Sequence, residues 1–369
     1  MKAVYILTNG PGELWDWARP LVYELDKMGI RSVLWLLPCQ FASGMERTCA
    51  HRLSFYRIIG PYNWAKTFYE SIRARDVGLV VQLGGDLMFG RFLSRMSGAE
   101  LFCYTYGRKR GLRGCSRVFT AYEVMADHIR EDGVSPLVIG DLVADSLRLD
   151  LDVGEGPKMG LPAQKYTSRK VALFPGSRPA IRRRALSYLR ELYGHLRSLL
   201  DIDVITLLSP FSLDEEVKAW EEAGLNPTRE STPFALRGVD LALTQPGTNT
   251  LELLYLRVPT LVAVPYAFLS DIPFSGLKGV MLRLPLVKDR LLQSLSKKKG
   301  MLSWPNRITG KNLIPELVGD YTPKELAEAM IEYLNDIDWL KKTSELMGQL
   351  TSSYGASKRL AEEIMQCLG

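Results

Sequence analysis

The sequence predicts an α/β protein made of two Rossmann-like domains, each with a doubly wound parallel sheet. Three observations predict this fold class. The chain has 369 residues, more than one hydrophobic core usually serves. In both halves, β-prone apolar runs alternate with glycine turns and helical stretches, as in parallel sheets covered by helices. Glycine, proline and charged residues interrupt the alternation once, around residues 150–170.

The first half opens as strand, glycine loop and helix. Residues 4–8 are apolar and β-prone, residues 9–13 break the strand, and residues 17–28 have helical spacing. Further strands are predicted at 32–37, 78–83 and 100–104, each followed by turn residues or a helical stretch.

The second half repeats this organisation and ends in helices. Strands are predicted at 170–174, 203–208, 241–244 and 260–264. Residues 322–325 form a capping box with proline at the first helical position, and residues 356–368 are amphipathic. We expect an N-terminal domain over 1–163, a C-terminal domain over 164–350, and a C-terminal helix over 351–369 that packs on the N-terminal domain.

Composition narrows the classes of function. Hydrophobic residues make up 46% and charged residues 24%, and no segment reaches the ~18 uninterrupted apolar residues of a membrane span. The five cysteines contain no CxxC pair and the three histidines stand far apart, which indicates a reducing compartment and no metal site. A net charge of +6 spread over the chain favours anionic small molecules or an anionic membrane surface over nucleic acid as partners.

The segment 174–179 ends an apolar strand at a glycine turn and begins a helix. Free backbone N–H groups and the positive end of the helix dipole at such a turn suit a phosphate. Gly176, Ser177 and Arg178 are therefore predicted to bind a nucleotide diphosphate, unless this is an ordinary strand-to-helix turn. The arginines at 182–184 are expected to form a solvated helix face.

A second loop of this kind follows the strand 241–244. The backbone amides of Gly247, Thr248 and Asn249 are placed to contact a diphosphate, and Glu252, one turn into the helix, to accept hydrogen bonds from ribose hydroxyls. The alternative is that these residues only begin a helix. Two such loops in one domain predict a nucleotide site more strongly than either alone.

Carboxylates end or follow two strands of the first half. Asp86 falls at the carboxyl edge of the sheet, where it would act as general base toward a sugar hydroxyl or, alternatively, only cap a helix. In the first loop, Trp15 stands where a dinucleotide fingerprint needs its third glycine, so NAD is rejected. Glu13 or Asp16 is instead expected to line the cleft on the acceptor side.

With these motifs in place, most of the chain resembles lipid-A-disaccharide synthase, an inverting glycosyltransferase of the GT-B architecture. The resemblance is clearest in the second half, over residues 173–178, 247–252, 304–317 and 354–362. The first half diverges more: Gly85-Asp86 stands where the family has proline and its proposed catalytic aspartate, and Gly12-Glu13 where it has glycine and aspartate. Asp141 replaces a family histidine, and residues 106–110 replace a tryptophan-rich segment.

The resemblance implies a reaction and a set of roles. A UDP-linked glucosamine derivative would be transferred, with inversion, to a lipid-linked sugar phosphate, without a metal or other cofactor. Asp86 would take the acceptor proton, with Glu13 beside it. The donor site would comprise Gly176, Ser177, Arg178, Gly247, Thr248, Asn249 and Glu252, with Asn306 and Glu316 lining it.

An acylated substrate implies a membrane surface. We expect a cytoplasmic protein that associates peripherally with the inner face of the membrane, through the apolar and basic residues 267–286 and the lysines that follow. The alternative is that this stretch belongs to the core. A homodimer is left open.

Two other functions stay open on the sequence. A UDP-sugar epimerase of the same two-domain fold would use the same UDP site but a single sugar substrate, and its chemistry needs a histidine that none of the glycine loops supplies. A non-catalytic relative would bind UDP-sugar without turnover.

Overall fold

The computed structural model describes residues 2–39, 42–153, 168–176, 178–265, 301–350 and 354–369. Ser177, the expected membrane segment 267–286 and most of the expected linker lie outside these ranges.

The chain divides into two compact units. Unit 1 comprises Met1–Gly156, Pro210–Ser212 and Ser352–Gly369, and unit 2 comprises Pro157–Ser209 and Leu213–Thr351. Each unit contains one sheet, and each is described separately below.

The sheet of unit 1 has seven strands, all parallel, in the order β3-β2-β1-β4-β5-β6-β7. Its strands are β1 (Ala3–Thr8), β2 (Ser32–Leu36), β3 (Arg57–Ile59), β4 (Val77–Leu83), β5 (Glu100–Tyr104), β6 (Arg117–Thr120) and β7 (Leu137–Val138).

Helices follow most of these strands. Before β7 they are a π-helical turn (Glu13–Ala18) that continues as α1 (Arg19–Lys27), α2 (Glu46–Ala50), α3 (Trp64–Arg73), α4 (Leu87–Ser97), a 3₁₀ turn (Leu112–Gly114) and α5 (Glu123–Arg130); after it comes α6 (Leu142–Val153).

The sheet of unit 2 has six parallel strands in the order β10-β9-β8-β11-β12-β13. Its strands are β8 (Arg169–Phe174), β9 (Ile202–Leu207), β10 (Pro227–Thr228), β11 (Leu241–Thr244), β12 (Thr260–Pro265) and β13 (Glu316–Gly319). The helices described here are α7 (Pro179–Leu199), α8 (Asp214–Glu222), α9 (Thr232–Ala235), α10 (Asn249–Tyr255), α11 (Trp304–Thr309), α12 (Pro323–Asn335) and α13 (Ile337–Gln349).

The predicted fold class is confirmed, because both sheets are parallel and covered by helices. The longer strands lie within one residue of their predicted bounds, because a strand covered on both faces is a continuous apolar run. Five strands were missed: β3, β6, β7, β10 and β13. Each has only two to four residues, and in all of them except β6 none of those residues is buried.

The chain ends in α14 (Ala356–Leu368), which belongs to unit 1 and packs on α1, α6 and β4, as the sequence predicts. Asp145 of α6 binds the first turn of α14. Its carboxylate accepts hydrogen bonds from Gly355 N at 2.6 Å, Ser357 N at 2.6 Å and Ser357 Oγ at 2.7 Å. The capping box predicted at the start of α12 is also present.

None of the helices in the described ranges is both long enough and apolar enough to cross a bilayer.

Candidate functional site

The sheet of unit 1 has its switch point between β1 and β4. The connection from β1 leads to β2 on one side, whereas β4 lies on the other side, so the loops after β1 and β4 diverge. Open α/β sheets bind ligands in the crevice that such loops leave at the carboxyl ends of the strands. Glu13 follows β1 and Asp86 follows β4, so the topology brings the two predicted carboxylates to the same point.

Glycines allow Glu13 to lie against the loop that carries Asp86. A Cβ atom built on Gly84 would lie 2.6 Å from Glu13 Cγ, and one on Gly10 would lie 2.4 Å from Glu13 Oε2. Gly84 also has a φ of +79°, which disfavours other residues. The half-buried Glu13 side chain therefore packs between two glycines, and any larger residue at either position would displace it.

Asp86 is exposed and caps α4. One carboxylate oxygen, Oδ1, accepts a hydrogen bond from Met88 N at 2.9 Å. The capping alternative is therefore observed, but it uses only one oxygen. The second oxygen has no hydrogen-bond partner within the described ranges. A capping aspartate can still accept a proton on that oxygen, so the two roles are compatible.

Gln82 holds the loop that positions Asp86. The Gln82 side chain is fully buried, and its Nε2 donates to Gly84 O at 2.8 Å and Asp86 O at 3.3 Å. A Cβ on Gly90 would lie 2.4 Å from Gln82 Oε1, so glycine at that position leaves room for the amide. The role of Gln82 was not predicted, although a glutamine inside the otherwise apolar strand β4 indicates a buried polar contact.

Several buried polar atoms near this point lack partners. Among the described residues, Thr8 Oγ1, Asn9 Oδ1 and Gln82 Oε1 make no hydrogen bond. Buried polar groups are nearly always satisfied by protein, water or ligand. The end of β1 and the adjacent β4 therefore offer polar groups that suit a hydroxyl-rich ligand or ordered water.

The segment 106–110, which replaces the family's tryptophan-rich segment, reaches the same loop. Lys109 Nζ donates to Gly85 O at 3.3 Å. Arg91 of α4 packs against Gly111 and Gly114, where a Cβ would lie 3.0 Å from its guanidinium. No carboxylate pairs with either cation in the described part of the chain. Lys109 thus brings a half-buried positive charge to the loop that contains Asp86.

Asp141, which stands where the resembled family has a histidine, lies in a buried hydrogen-bond network. Tyr106 Oη donates to Asp141 Oδ1 at 2.5 Å, and Trp17 Nε1 donates to Tyr106 Oη at 3.3 Å. Burial, and then the charge of Asp141, raise the pKa of Tyr106 well above its ordinary value. The tyrosine stays protonated and holds the segment 106–110 to the start of α6.

The sheet of unit 2 has its switch point between β8 and β11. The two predicted glycine loops follow these strands and contact each other: Gln245 Nε2 donates to Pro175 O at 3.2 Å. Gly176 has a φ of +103°, and a Cβ there would lie 3.6 Å from Gln245 Oε1. The structure therefore brings together the two loops that the sequence analysis assigned to one nucleotide.

Most of the groups expected to bind a nucleotide lie in these two loops or in the first turns of the helices that follow them. Arg178 is the N-cap residue of the 21-residue helix α7. The backbone amides of Gly247 and Thr248 donate to none of the described residues, whereas their carbonyls accept from the first turn of α10. Glu252 lies in that turn, and its carboxylate accepts a hydrogen bond from Thr232 Oγ1 of α9. Their roles toward a nucleotide stay predictions.

Arg182 corrects one expectation. The arginines at 182–184 were expected to form a solvated face, but Arg182 is fully buried. Its Nε and Nη2 donate to Glu216 of α8 at 2.5 and 2.8 Å, and its Nη1 donates to Gly176 O at 3.5 Å. The charge is tolerated because the carboxylate pairs with it in a bidentate geometry. Arg182 therefore holds the Gly176 loop.

Asn306 and Glu316 hold their own segment together. The Asn306 side chain is fully buried and bonds Leu313 N, Ile314 N and Ile314 O at 2.8–2.9 Å. Glu316 accepts from Leu302 N, Ser303 N and Asn306 Nδ2. These bonds hold the backbone of residues 302–316. That Asn306 and Glu316 line a donor site stays a prediction.

Comparison with known proteins gives low but extended sequence similarity. No protein-family model matches the chain. It is 25% identical over 272 residues to the lipid-A-disaccharide synthase of Saccharophagus degradans, covering 72% of this chain and 64% of the relative. It is 26% identical over 272 residues to that of Alkalilimnicola ehrlichii, covering 71% and 65%. The resemblance predicted from the motifs is thus confirmed by sequence similarity to these enzymes. The match spans less than two thirds of the length of either relative.

Solved structures share the fold over nearly the whole chain. MurG of Acinetobacter baumannii superposes with a TM-score of 0.59 at 14% identity, covering 99% of this chain and 100% of that one. MnaA of Staphylococcus aureus, solved with UDP, gives 0.62 at 13% identity, covering 99% and 96%. The UDP-GlcNAc 2-epimerase of Neisseria meningitidis, solved with UDP-GlcNAc, gives 0.59 at 13%, covering 99% and 100%. The fold is therefore of the GT-B type.

Proposed function

We propose that the chain is an inverting glycosyltransferase that uses a UDP-sugar. One observation carries the proposal: in each unit, two loops that contain predicted site residues contact each other at the switch point of the sheet. The similarity to lipid-A-disaccharide synthases and the fold shared with MurG support the same class of enzyme.

Unit 2 would bind the donor. The first turn of α7 offers backbone N–H groups and the positive end of the helix dipole to a diphosphate, and Arg178 adds a guanidinium. The amides of Gly247, Thr248 and Asn249 complete the phosphate contacts, and Glu252 accepts hydrogen bonds from the ribose. Structures of similar fold that are described with UDP or UDP-GlcNAc support this assignment.

Unit 1 would bind the acceptor and supply the base. The acceptor hydroxyl oxygen attacks the anomeric carbon while the bond from that carbon to the UDP oxygen breaks, so the configuration inverts and UDP leaves with the electron pair. Asp86 takes the hydroxyl proton on its free oxygen. Arg178 and the loop amides stabilise the charge that develops on UDP, and Glu13 orients the acceptor. We propose no metal and no other cofactor.

We further propose that the donor is a UDP-linked, acylated glucosamine and the acceptor a lipid-linked sugar phosphate, as in lipid A biosynthesis. The relatives' printed name supports this substrate class. Lys109 donates to Gly85 O, next to Asp86, and has no carboxylate partner in the described ranges, so it would supply positive charge for the acceptor phosphate. Such substrates place the enzyme in the cytoplasm, peripherally on the inner face of the membrane.

Calorimetric titration with UDP, ADP and NAD tests the donor site. We expect wild type to prefer UDP, and Arg178→Ala with Glu252→Ala to bind UDP at least about a hundredfold more weakly, because each lost charged hydrogen bond costs about 1.5–3 kcal/mol. The control is Arg190→Ala with Glu221→Ala, two exposed residues of α7 and α8 with the same change in charge. Absence of UDP binding to wild type would exclude both UDP-dependent functions.

A UDP-sugar epimerase is the second candidate, because UDP-GlcNAc 2-epimerases share the fold over nearly the whole chain. Incubation with UDP-GlcNAc alone, followed by proton NMR, separates the two. An epimerase would convert the sugar without acceptor, whereas the proposed transferase releases UDP only when an acceptor hydroxyl is present. Binding of UDP without epimerisation, and without transfer from a UDP-linked acylated glucosamine to a lipid-linked sugar phosphate, would indicate the non-catalytic relative.

A further inference from the structure

Two cysteine thiols of unit 1 lie in contact with each other. Cys103 lies in β5 and is fully buried, whereas Cys115 directly follows the 3₁₀ turn (Leu112–Gly114) and is partly exposed. Cys115 packs against the buried apolar cluster that contains Cys103. The two thiols form a hydrogen bond. The pair therefore joins a sulfur that solvent can reach to one that it cannot.

Strand pairing and the turn before β6 bring the two residues together. β5 and β6 are neighbouring parallel strands. In the connection between them, Cys115 N donates to Leu112 O at 2.9 Å, and Ser116 N donates to Leu101 O at 2.8 Å. These bonds hold the residues that precede β6 against β5, so the Cys115 sulfur lies beside that of Cys103.

Two cations lie near Cys115. A Cβ on Gly114 would lie 3.0 Å from Arg91 Nε, so the guanidinium packs against the residue before this cysteine. The hydrogen bond from Cys103, and then the charges of Arg91 and Lys109, lower the pKa of Cys115 against the opposing effect of burial. The same hydrogen bond, and then burial, raise the pKa of Cys103 well above its ordinary value. Because the thiolate is the reactive form, Cys115 is the nucleophile of the pair.

Two other cysteines lie in surroundings with the opposite effect. Burial raises the pKa of Cys49. Burial, and then the charge of Glu100, raise the pKa of Cys367. Neither thiol is activated as Cys115 is, so both provide controls.

We propose that Cys103 and Cys115 form a reversible disulfide when hydrogen peroxide oxidises the chain. The Cys115 thiolate attacks one peroxide oxygen and the O–O bond breaks, which gives a sulfenic acid and a hydroxide that takes up a proton from solvent. The Cys103 sulfur then attacks the Cys115 sulfur, and the S–O bond breaks as water leaves with the Cys103 proton. The two thiols lose two electrons, and one peroxide becomes two waters. A small dithiol reverses the reaction by thiol–disulfide exchange.

Forming this bond moves the turn more than the strand. A disulfide needs its sulfurs about 2.05 Å apart, closer than two hydrogen-bonded thiols. Cys103 is held inside β5, whereas Cys115 lies between a 3₁₀ turn and β6. The adjustment therefore falls on the residues around Cys115 and on the turn that precedes it.

This turn is connected to the loop that carries Asp86. Lys109 O accepts a hydrogen bond from Leu112 N at 3.4 Å, and Lys109 Nζ donates to Gly85 O at 3.3 Å. Leu87, the first residue of α4, belongs to the apolar cluster described above. We therefore expect the disulfide to displace the Asp86 loop and to lower kcat. This consequence rests on the proposed function, whereas formation of the disulfide does not.

Peptide mapping of the full chain tests the proposal. The reduced protein is treated with hydrogen peroxide, alkylated and cleaved with trypsin, which separates residues 96–108 from residues 114–117. We expect a disulfide to join these two peptides and dithiothreitol to release them. Cys115→Ser should abolish the joined peptide. Cys103→Ala should leave a sulfenic acid on Cys115 that a 1,3-dione reagent labels.

A charge variant tests the activation of Cys115. Arg91→Gln should slow the oxidation of wild type by about threefold to tenfold, because loss of a nearby cation lowers the thiolate fraction. Arg91→Lys keeps the charge and should retain most of the rate. The loss of free thiol over time measures the rate, and the thermal midpoint reports whether each variant is folded. An unchanged rate in folded Arg91→Gln would overturn the assignment of Cys115 as the nucleophile.

Cys49→Ser and Cys367→Ser are the matched controls, and both should form the disulfide at the wild-type rate. Absence of the joined peptide from oxidised wild type would overturn the proposal. So would a disulfide that joins two chains on a non-reducing gel, since the partner of Cys115 would then be a second copy.

A transfer assay before and after oxidation tests the consequence for activity. We expect kcat of the disulfide form to be at least about tenfold lower, because small displacements of catalytic groups cost up to about a hundredfold. Dithiothreitol should restore the rate, and Cys115→Ser should keep its rate in peroxide. A disulfide in a chain that shows no transfer when reduced would remove the glycosyltransferase proposal and leave the disulfide standing. Transfer that the disulfide does not change would overturn the connection to Asp86.

Discussion

At the scale of single residues, glycines determine where the candidate carboxylates lie. Gly10 and Gly84 give the Glu13 side chain its space, and Gly90 gives space to the amide of Gln82. The sequence identified the first two as turn residues, which was correct but incomplete. Their contacts with Glu13 depend on the pairing of β1 with β4, which no local pattern shows.

The clearest test at this scale is Asp86→Asn. Asparagine keeps the oxygen that caps α4, so we expect a change in stability of only a few tenths of a kcal/mol. It removes the base, and we expect kcat to fall by about 10²–10⁴. UDP release in the presence of acceptor measures kcat, and thermal unfolding measures stability.

Asp127→Asn, an exposed carboxylate of α5, is the matched control. Full activity of Asp86→Asn would show that the residue only caps its helix.

At the scale of elements, two helices depend on partners that are distant in the sequence. α7 begins as predicted, but its Arg182 is buried by Glu216, 34 residues further along the chain. α14 was also predicted, from its amphipathic pattern, but Asp145 supplies its N-terminal hydrogen bonds. Helical periodicity is local and therefore visible in the sequence, whereas these ion pairs and caps are not.

Asp145→Ala should detach the first turn of α14. Three hydrogen bonds to a carboxylate are lost and buried donors stay unsatisfied, so we expect a loss of about 2–4 kcal/mol in the local stability of the helix. Hydrogen exchange of the amides of residues 356–368 measures this directly.

Asp152→Ala, an exposed carboxylate on the same helix α6, should leave that exchange unchanged. If the amides of α14 exchange as slowly in Asp145→Ala as in wild type, packing on α1 and β4 holds the helix without the hydrogen bonds from Asp145.

At the scale of the whole molecule, the proposed reaction uses only side chains and backbone amides to stabilise the negative charge that develops on the leaving UDP. We expect dialysis against EDTA to leave the rate of transfer unchanged, because Arg178 and the loop amides take the role of the metal that some transferases use. A fall of more than about tenfold that Mg²⁺ restores would instead indicate a metal at the diphosphate.

The amino-acid pattern was enough to predict the fold class, the longer strands and the two glycine loops of unit 2, because buried parallel strands and strand-to-helix turns leave local patterns. Only the folded chain shows which loops meet and that Arg182 and Gln82 hold them. These features depend on strand order and on contacts between residues far apart in the chain. Hydrophobic periodicity predicts which side chains are buried. Which residues they pack against depends on the strand order of the assembled sheet.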